Sequence, residues 1–192
     1  MKKEAKTKKI RCSWVNSKNS LYIHYHDHEW GVEKHDDIEL FEMLILEGAQ
    51  AGLSWETVLN KRINYRNAFD NFDPKIVSKY DEQKYDELLQ DKGIIRNRLK
   101  IKSAIRNAKV FINIQNEFGS FDSYIWDFVK RKPIINSFTK EKAPTTTELS
   151  DKISKDLKNK GMNFVGSTII YAFMQSVGMV NDHEINCYKH IR

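Results

Sequence analysis

At 192 residues the chain has the length of one ordinary domain and little room for a second complete core. Its 32 Lys and Arg against 26 Asp and Glu leave a formal charge of +6, a field that favours polyanions without selecting one. No apolar run approaches the roughly 18 residues that a bilayer-spanning helix needs, and the amino end lacks the apolar core of a secretory signal. An intracellular protein with no membrane partner is therefore expected. Cys12 and Cys187 stand near opposite ends, and in such a compartment they read as thiols or metal ligands more readily than as one disulfide.

Residues 1–10 form a Lys-rich flank (Lys2, Lys3, Lys6, Lys8, Lys9) with almost nothing to bury, so a flexible tail is expected, with a phosphate-seeking arm as the sharper alternative. The remainder, 11–192, reads as a single domain. From Asp37 onward apolar residues recur at helical spacing: Ile38, Phe41, Leu44 and Ile45, then Trp55, Val58 and Leu59, then Ile101, Ile105, Ala108 and Ile112. Asp36 and Asp37 can cap the first helix, and Gly48 and Gly52 punctuate its end. Pro74 suits the first turn of a short helix. Further helices are expected near Asp81–Gln90, Asn97–Glu117, Ser120–Lys130, Thr147–Lys160 and Asn163–Met179, with Gly161 where a left-handed cap would fall. Strand signals are nearly absent. The pattern implies an all-α fold of two lobes with a groove between them.

Three clusters carry chemistry. His183 and Cys187 are four apart, which places both on one face of a helical turn where they can grip one ion. Cys12 and His26 can supply a second pair, although His24 and His28 compete if the segment is extended or irregular; two buried thiols with ordinary histidines are the alternative. Glu47 ends the apolar run that begins at Phe41, with Gln50, Leu53 and Trp55 nearby and Trp14, Tyr22, Tyr25 and Trp30 earlier in the chain. Such a set can line a slot for a flat cationic ring, since aromatic faces attract cations and a carboxylate accepts from an exocyclic amine. The alternative is a core of aromatics with Glu47 facing water. Finally, Leu88 to Arg98 joins two amphipathic stretches through a turn centred on Gly93. A turn of this kind can aim backbone N–H groups at a phosphate, with Arg96, Arg98, Lys100 and Lys102 adding charge, or it can be an ordinary helix connection.

Arg11 to Val15, Tyr22 to Val32, Leu40 to Gly48, Gln50 to Trp55, Gly93 to Arg96, Phe164 to Gly166 and Val180 to His183 run in an order that resembles the 3-methyladenine DNA glycosylase I family. These are bacterial alkylation-repair enzymes of the helix-hairpin-helix superfamily, and the resemblance covers nearly all of the chain outside the flank. It implies a helix-hairpin-helix DNA glycosylase fold with helical lobes around a base-binding pocket. It also implies one structural zinc ion, held by Cys12, His26, His183 and Cys187, that joins the two terminal segments. The implied activity is extrusion and hydrolytic excision of 3-methyladenine. Glu47 is the implied catalytic residue; Glu47 and Tyr25 contact the base, Trp55 stacks on it, and Trp14, Tyr22 and Trp30 complete the pocket. Leu53 enters the gap left in the duplex, and Gly93, Arg96 and Arg98 hold DNA. The implied partners are double-stranded alkylated DNA and the free base as product, for a cytoplasmic monomer. Ile95 departs from the superfamily's hairpin by replacing its second glycine. The superfamily's usual catalytic aspartate has no counterpart, Asp122 being the nearest to test. The competing reading is a non-catalytic helix-hairpin-helix module that binds lesions.

Overall fold

The computed structural model describes residues 9–139 and 143–191, so residues 1–8 of the basic flank lie outside it. The first surprise is a helix where an extended or irregular segment was considered. Helix α1, Ser20–His28, opens at Asn19, whose side chain accepts the N–H groups of Leu21 and Tyr22. Its composition of Tyr and His has only middling helical propensity and shows no clean apolar stripe, which is why periodicity did not announce it.

Helix α2, Asp37–Gln50, begins at Asp36 as expected, and every residue from Leu40 to Ala49 is buried. A helix apolar nearly all round belongs in the centre of a fold. The turn at Gly52 adopts a φ of +77°, a left-handed conformation that glycine takes without steric cost. Two short helices follow, α3 (Trp55–Leu59) and α4 (Arg62–Ala68), then α5 (Pro74–Val77), whose proline lies in the first turn. Helix α6 is Glu82–Gln90 and α7 is Arg98–Phe118, the longest at 21 residues. Helix α8, Phe121–Asp127, stops short of the expected Lys130 because Lys130 and Arg131 turn to positive φ. Helix α9, Glu148–Asn159, starts in a capping box formed by Thr147 and Ser150. Helix α10, Ser167–Ser176, starts later than the expected Asn163, since Phe164 has a φ of +54° and Gly166 is the N-cap.

The all-α expectation needs one small amendment: β1 (Ile134–Ile135) pairs in parallel with β2 (Val180–Asn181), with Ile134 opposite Val180. Among the described residues that pair is the sole sheet. Helices α3, α7, α8 and α10 pack around α2, and α9 covers α10. Phe111 of α7 stacks on Phe121 of α8 at 4.1 Å and meets Phe41 of α2 edge-on at 5.1 Å. All three rings are fully buried, and truncating one to alanine would cost about 3–5 kcal/mol.

Two features fix the frame of the site. Arg62 of α4 donates to Glu42 of α2 and to Glu29 at the end of α1, and Arg66 donates to Glu42 as well. This buried ion cluster locks three helices together, and removing one partner would strand a charge at about 3–5 kcal/mol. Gly178 has a φ of +76°, and a Cβ there would meet the Val32 carbonyl carbon at 2.4 Å, so only glycine lets the α10 terminus pass against residues 32–33. Gly31 N–H donates to Gln175 O and Lys34 N–H to Val177 O across the same seam.

Candidate active site and metal centre

In α1 the three histidines separate by face. His24 and His28, four apart, lie exposed with their rings 4.7 Å apart, while His26 is buried on the opposite side. There it meets Cys12, His183 and Cys187, and one donor atom from each of the four lies within 4.8 Å of all the others. The Cys187 sulfur is 3.4 Å from His26 Nε2 and 3.7 Å from His183 Nδ1, and the Cys12 sulfur is 3.5 Å from His183 Nδ1. The outward nitrogens are engaged too: His26 Nδ1 with Asp27 at 2.8 Å, and His183 Nε2 with the Trp30 carbonyl at 3.3 Å. Those contacts set which nitrogen faces the sulfurs.

Backbone N–H groups of Glu184 and Lys189 donate to the two sulfurs, each at 3.4 Å. Arg11 forks onto Asp27 with bonds of 2.8 and 2.7 Å and holds that carboxyl well below the usual range. Burial lowers His183 to about 4, so its imidazole is neutral and available as a ligand. Burial also pushes the Cys12 thiol up, the cost of ionising it with no cation at hand. The cluster can hold a metal ion.

Beside it opens a cavity of about 290 Å³ lined by Trp14, Tyr22, Tyr25, Trp30, Glu47 and Trp55 among others. Of the eight residues that the sequence groups around a flat ring, seven line this one space, Gln50 with the six named, while Leu53 is not among its lining residues. Its wall is shared with the Cys/His cluster: the Trp14 ring lies 5.3 Å from that of His26, and Trp30 lies 4.7 Å from His183. Trp30 and Trp55 are buried and also line the cavity, so the choice between core and pocket was a false one. Tyr25 packs against Trp55 with ring centres 5.1 Å apart.

Glu47 is 4% exposed, which removes the water-facing alternative. Burial raises its carboxyl to about 8, opposed by the neighbouring Ser176 hydroxyl. Burial, and next the proximity of Glu47, raises the Tyr25 phenol, which stays a hydrogen-bond donor at neutral pH. Among the described residues Trp55 Nε1 is the one buried side-chain nitrogen or oxygen with no partner.

Ser13, Ala172, Gln175, Asp182 and Glu184 also line the cavity and were not singled out from sequence. Asp182 accepts from Tyr171 at 2.6 Å, Gln175 at 2.8 Å and Asn136 at 2.7 Å. Tyr171 and Gln175 are four apart on α10, a spacing that could have paired them; Asn136 comes from β1's end and left no local signal.

Leu53 is 42% exposed in the loop between α2 and α3, flanked by cavity residues Gln50 and Trp55. The α6–α7 turn departs from expectation. Gly93 donates its N–H to Asp91 of the same turn at 2.6 Å and Ile95 donates to the Tyr65 hydroxyl at 3.2 Å, so both donors already have partners within the protein. Gly93 is tightly packed, since a Cβ would come 2.9 Å from Asp91 Oδ1 and 3.0 Å from Asn64 Cβ. Lys100 is likewise engaged, donating to the carbonyls of Ala49 and Ala51 at 2.8 and 2.6 Å at the end of α2. Arg96 and Arg98 remain exposed. Asp122 is remote in role: it pairs with His35 at 2.6 Å and Arg131 at 2.7 Å, and it does not line the cavity.

A family model for methyladenine glycosylase matches residues 14–190. DNA-3-methyladenine glycosylase 1 of Escherichia coli K12 is 49% identical over 178 residues, spanning 92% of this chain and 95% of the relative. A crystal structure of a 3-methyladenine DNA glycosylase I superposes with a TM-score of 0.92 at 48% identity, covering 95% of this chain and all of that one. A single-residue variant of such an enzyme in complex with 3-methyladenine has a TM-score of 0.91 at 30% identity, covering 95% and 98%.

Proposed function

This chain belongs to the methyladenine glycosylase family, and from that premise we propose that it excises 3-methyladenine from alkylated DNA in base excision repair, leaving an abasic site. The observation that carries the reading is the cavity in which Glu47, Tyr25 and Trp55 converge at a size suited to one purine. A purine methylated at the 3-position is a cation in DNA, so its glycosidic bond is weakened and breaks to release a neutral base. The pair of bonding electrons returns to the ring, the sugar becomes an oxocarbenium ion, and water captures it with loss of a proton to solvent. Extruding the nucleotide costs a few kcal/mol, least for a damaged base.

Trp55 stacks on the ring, Trp14, Tyr22 and Trp30 complete the slot, and Tyr25 and Glu47 address its polar edge. Glu47 is protonated in the empty cavity at neutral pH, and a cationic ring favours its carboxylate, so binding and ionisation reinforce one another. It acts by electrostatics and hydrogen bonding rather than as a covalent nucleophile.

Cys12, His26, His183 and Cys187 are assigned as ligands of one structural Zn²⁺. Their sulfur–nitrogen separations of 3.4, 3.5 and 3.7 Å support this. A tetrahedron with Zn–S of about 2.3 Å and Zn–N of about 2.0 Å has a sulfur–nitrogen edge of about 3.5 Å. Four protein ligands leave no position for substrate, so the ion holds the wall of the cavity and the chain's two ends together.

The helix-hairpin-helix reading is kept for α6–α7, with phosphate contacts assigned to Arg96 and Arg98 side chains; Gly93 serves the turn's packing. Leu53 is the wedge that fills the gap in the duplex. We place the chain, as one domain over 11–192 and a monomer, in a bacterial cytoplasm; no helix among the described residues is long and apolar enough to cross a membrane. Duplex DNA carrying 3-methyladenine tests the whole reading: release of free base and an alkali-labile strand is expected. DNA that is bound with its lesion base retained would instead make this a lesion-binding module.

A further inference from the structure

A chain with a net charge of +6 is expected to turn its lysines toward a polyanion, yet two of them are engaged by backbone carbonyls of their own fold. Lys100, in the first turn of α7, donates to the carbonyls of Ala49 and Ala51 at 2.8 and 2.6 Å. Lys61, between α3 and α4, donates to the carbonyls of Lys92 and Gly93 at 3.0 and 3.2 Å. The two contacts cross one boundary in opposite directions. Lys100 reaches from the second helix of the hairpin to the loop after α2, and Lys61 reaches from beyond that loop to the turn of the hairpin.

The segment that Lys100 holds has few other supports. Helix α2 ends at Gln50 with Ala51 as its C-cap, and its last turn contains no basic residue to meet the carbonyls that a helix leaves unpaired there. Lys100 supplies that cation from another helix. Beyond the cap the chain packs against little: a Cβ on Gly52 would find nothing within 4 Å, and Leu53 is 42% exposed. Hydrogen bonds set its course instead, from Ala51 N–H to Gly48 O, from Leu53 N–H to Gln50 O, and the two from Lys100. Glu47 and Gln50 precede this loop and Trp55 follows it, and all three line the cavity. On the hairpin side, Asn97 accepts the N–H groups of Leu99 and Lys100, which fixes the lysine's backbone beside exposed Arg96 and Arg98.

We infer that Lys100 is a positioning residue which, with Lys61, clasps the Leu53 loop to the α6–α7 hairpin, so that the grip on the phosphate backbone and insertion into the duplex act as one rigid body. The inference rests on the proposed roles of Leu53 as wedge and of Arg96 and Arg98 as phosphate contacts. An exposed loop with few packing contacts yields when its side chain is pressed against stacked bases. Two bonds to a 21-residue helix remove that freedom, and a misplacement of about 1 Å can cost on the order of a hundredfold in rate.

The test is Lys100→Met, which keeps the apolar stem and removes the donors. Release of free base is followed from two duplexes, one with 3-methyladenine paired to thymine and one with the same lesion inside a short run of mismatches. On the paired duplex kcat is expected to fall about tenfold or more with little change in KM. On the mismatched duplex the deficit should shrink to within about threefold, since little extrusion remains for the wedge to drive. Binding of free 3-methyladenine, read by quenching of tryptophan fluorescence, should move by less than about twofold, because Lys100 does not line the cavity. Lys100→Arg, which keeps donors for two carbonyls, should restore most of the paired rate.

Equal deficits on both duplexes would make Lys100 an ordinary structural residue. A loss confined to KM, with a shallower salt dependence of DNA binding, would make it a phosphate contact. Either result overturns the inference, as does an unchanged rate on both duplexes. If Lys100→Met does not fold, Lys61→Met removes the other arm; the same selective loss on the paired duplex is expected, and its absence overturns the clasp. Wild-type protein that releases base from neither duplex refutes the proposed excision, and Leu53→Ala with full activity on the paired duplex refutes the wedge. Both take this inference with them, whereas failure of the clasp alone shows only in the lysine variants.

Discussion

The Cys/His cluster and the cavity beside it are made from the same stretches of chain, yet they are opposites. In α1, His26 turns into the cluster while Tyr22 and Tyr25 turn into the cavity; beyond α10, His183 belongs to one and Asp182 to the other. In the cluster every histidine nitrogen and both sulfurs have a neighbour within 3.7 Å. In the cavity wall Glu47 is buried with the Ser176 hydroxyl beside it, and Trp55 Nε1 has no partner. A satisfied site holds a structure together; an unsatisfied one stores a cost that a ligand can relieve.

The largest effect should come from breaking the satisfied half. Cys187→Ser, or removal of metal by a strong chelator, is expected to lower unfolding stability by on the order of 5 kcal/mol. Because Trp14 and Trp30 pack on the cluster's histidines, uptake of free 3-methyladenine should fall with it. Urea unfolding with and without chelator checks this; an unmoved midpoint would show that the four side chains hold no metal of consequence.

Second in size is the effect of Glu47→Gln on excision. The amide keeps the shape but cannot become an anion as the cationic ring enters, so kcat/KM on 3-methyladenine DNA should drop about 10- to 100-fold with an unchanged far-UV circular dichroism spectrum. Unchanged turnover would end the assignment of Glu47.

How far these features were legible in sequence depended on how local their causes are. Asp36 before an apolar period, Pro74 in a first turn and the capping residue Thr147 act within one helical turn, and each is found where expected. Helix α1 was hidden because its tyrosines and histidines serve two sites on two faces and so erase the apolar stripe that marks a surface helix. The choice of His26 over His24 and His28 follows from that helix, which was not itself foreseen. Glu47 was visible as an acid in an apolar run. Asp182 was not, since its meaning depends on Asn136, Tyr171 and Gln175 arriving from β1 and α10. The N–H of Ile95 likewise depends on Tyr65 of α4, whose placement the hairpin's own sequence does not contain, whereas the Gly93 N–H is taken by Asp91 of the same turn.

The same Glu47→Gln variant should reveal an effect of opposite sign and similar size on stability. The folded carboxyl titrates at about 8 and the unfolded one near its ordinary value of 4.5. Between those values the unfolded chain ionises while the folded one keeps its proton, so stability falls as pH rises through that window and is fully recovered below it. Glutamine has no such dependence. Relative to wild type, the variant should be more stable by about 2–3 kcal/mol at neutral pH, and the difference should close toward pH 4. Thermal or urea unfolding at the two pH values reads it directly, and a difference that grows in acid would contradict the buried, proton-retaining state.

The smallest expected change concerns Trp55. Its unpaired N–H costs the empty protein about 1–3 kcal/mol, less whatever solvent reaches it, and Trp55→Phe removes that donor while keeping an aromatic face. Phenylalanine also gives up part of the buried ring area, so the net gain in stability should be about 1 kcal/mol at most. If the N–H is there to meet an acceptor on the bound nucleotide, the same substitution should weaken uptake of 3-methyladenine about three- to tenfold, because a donor satisfied only in the complex contributes only there. Calorimetric titration alongside thermal unfolding separates the two effects. A variant that is stabler and binds equally well would mean that the orphaned donor is a packing defect, and the line between a satisfied half and a receptive half would then rest on Glu47 alone.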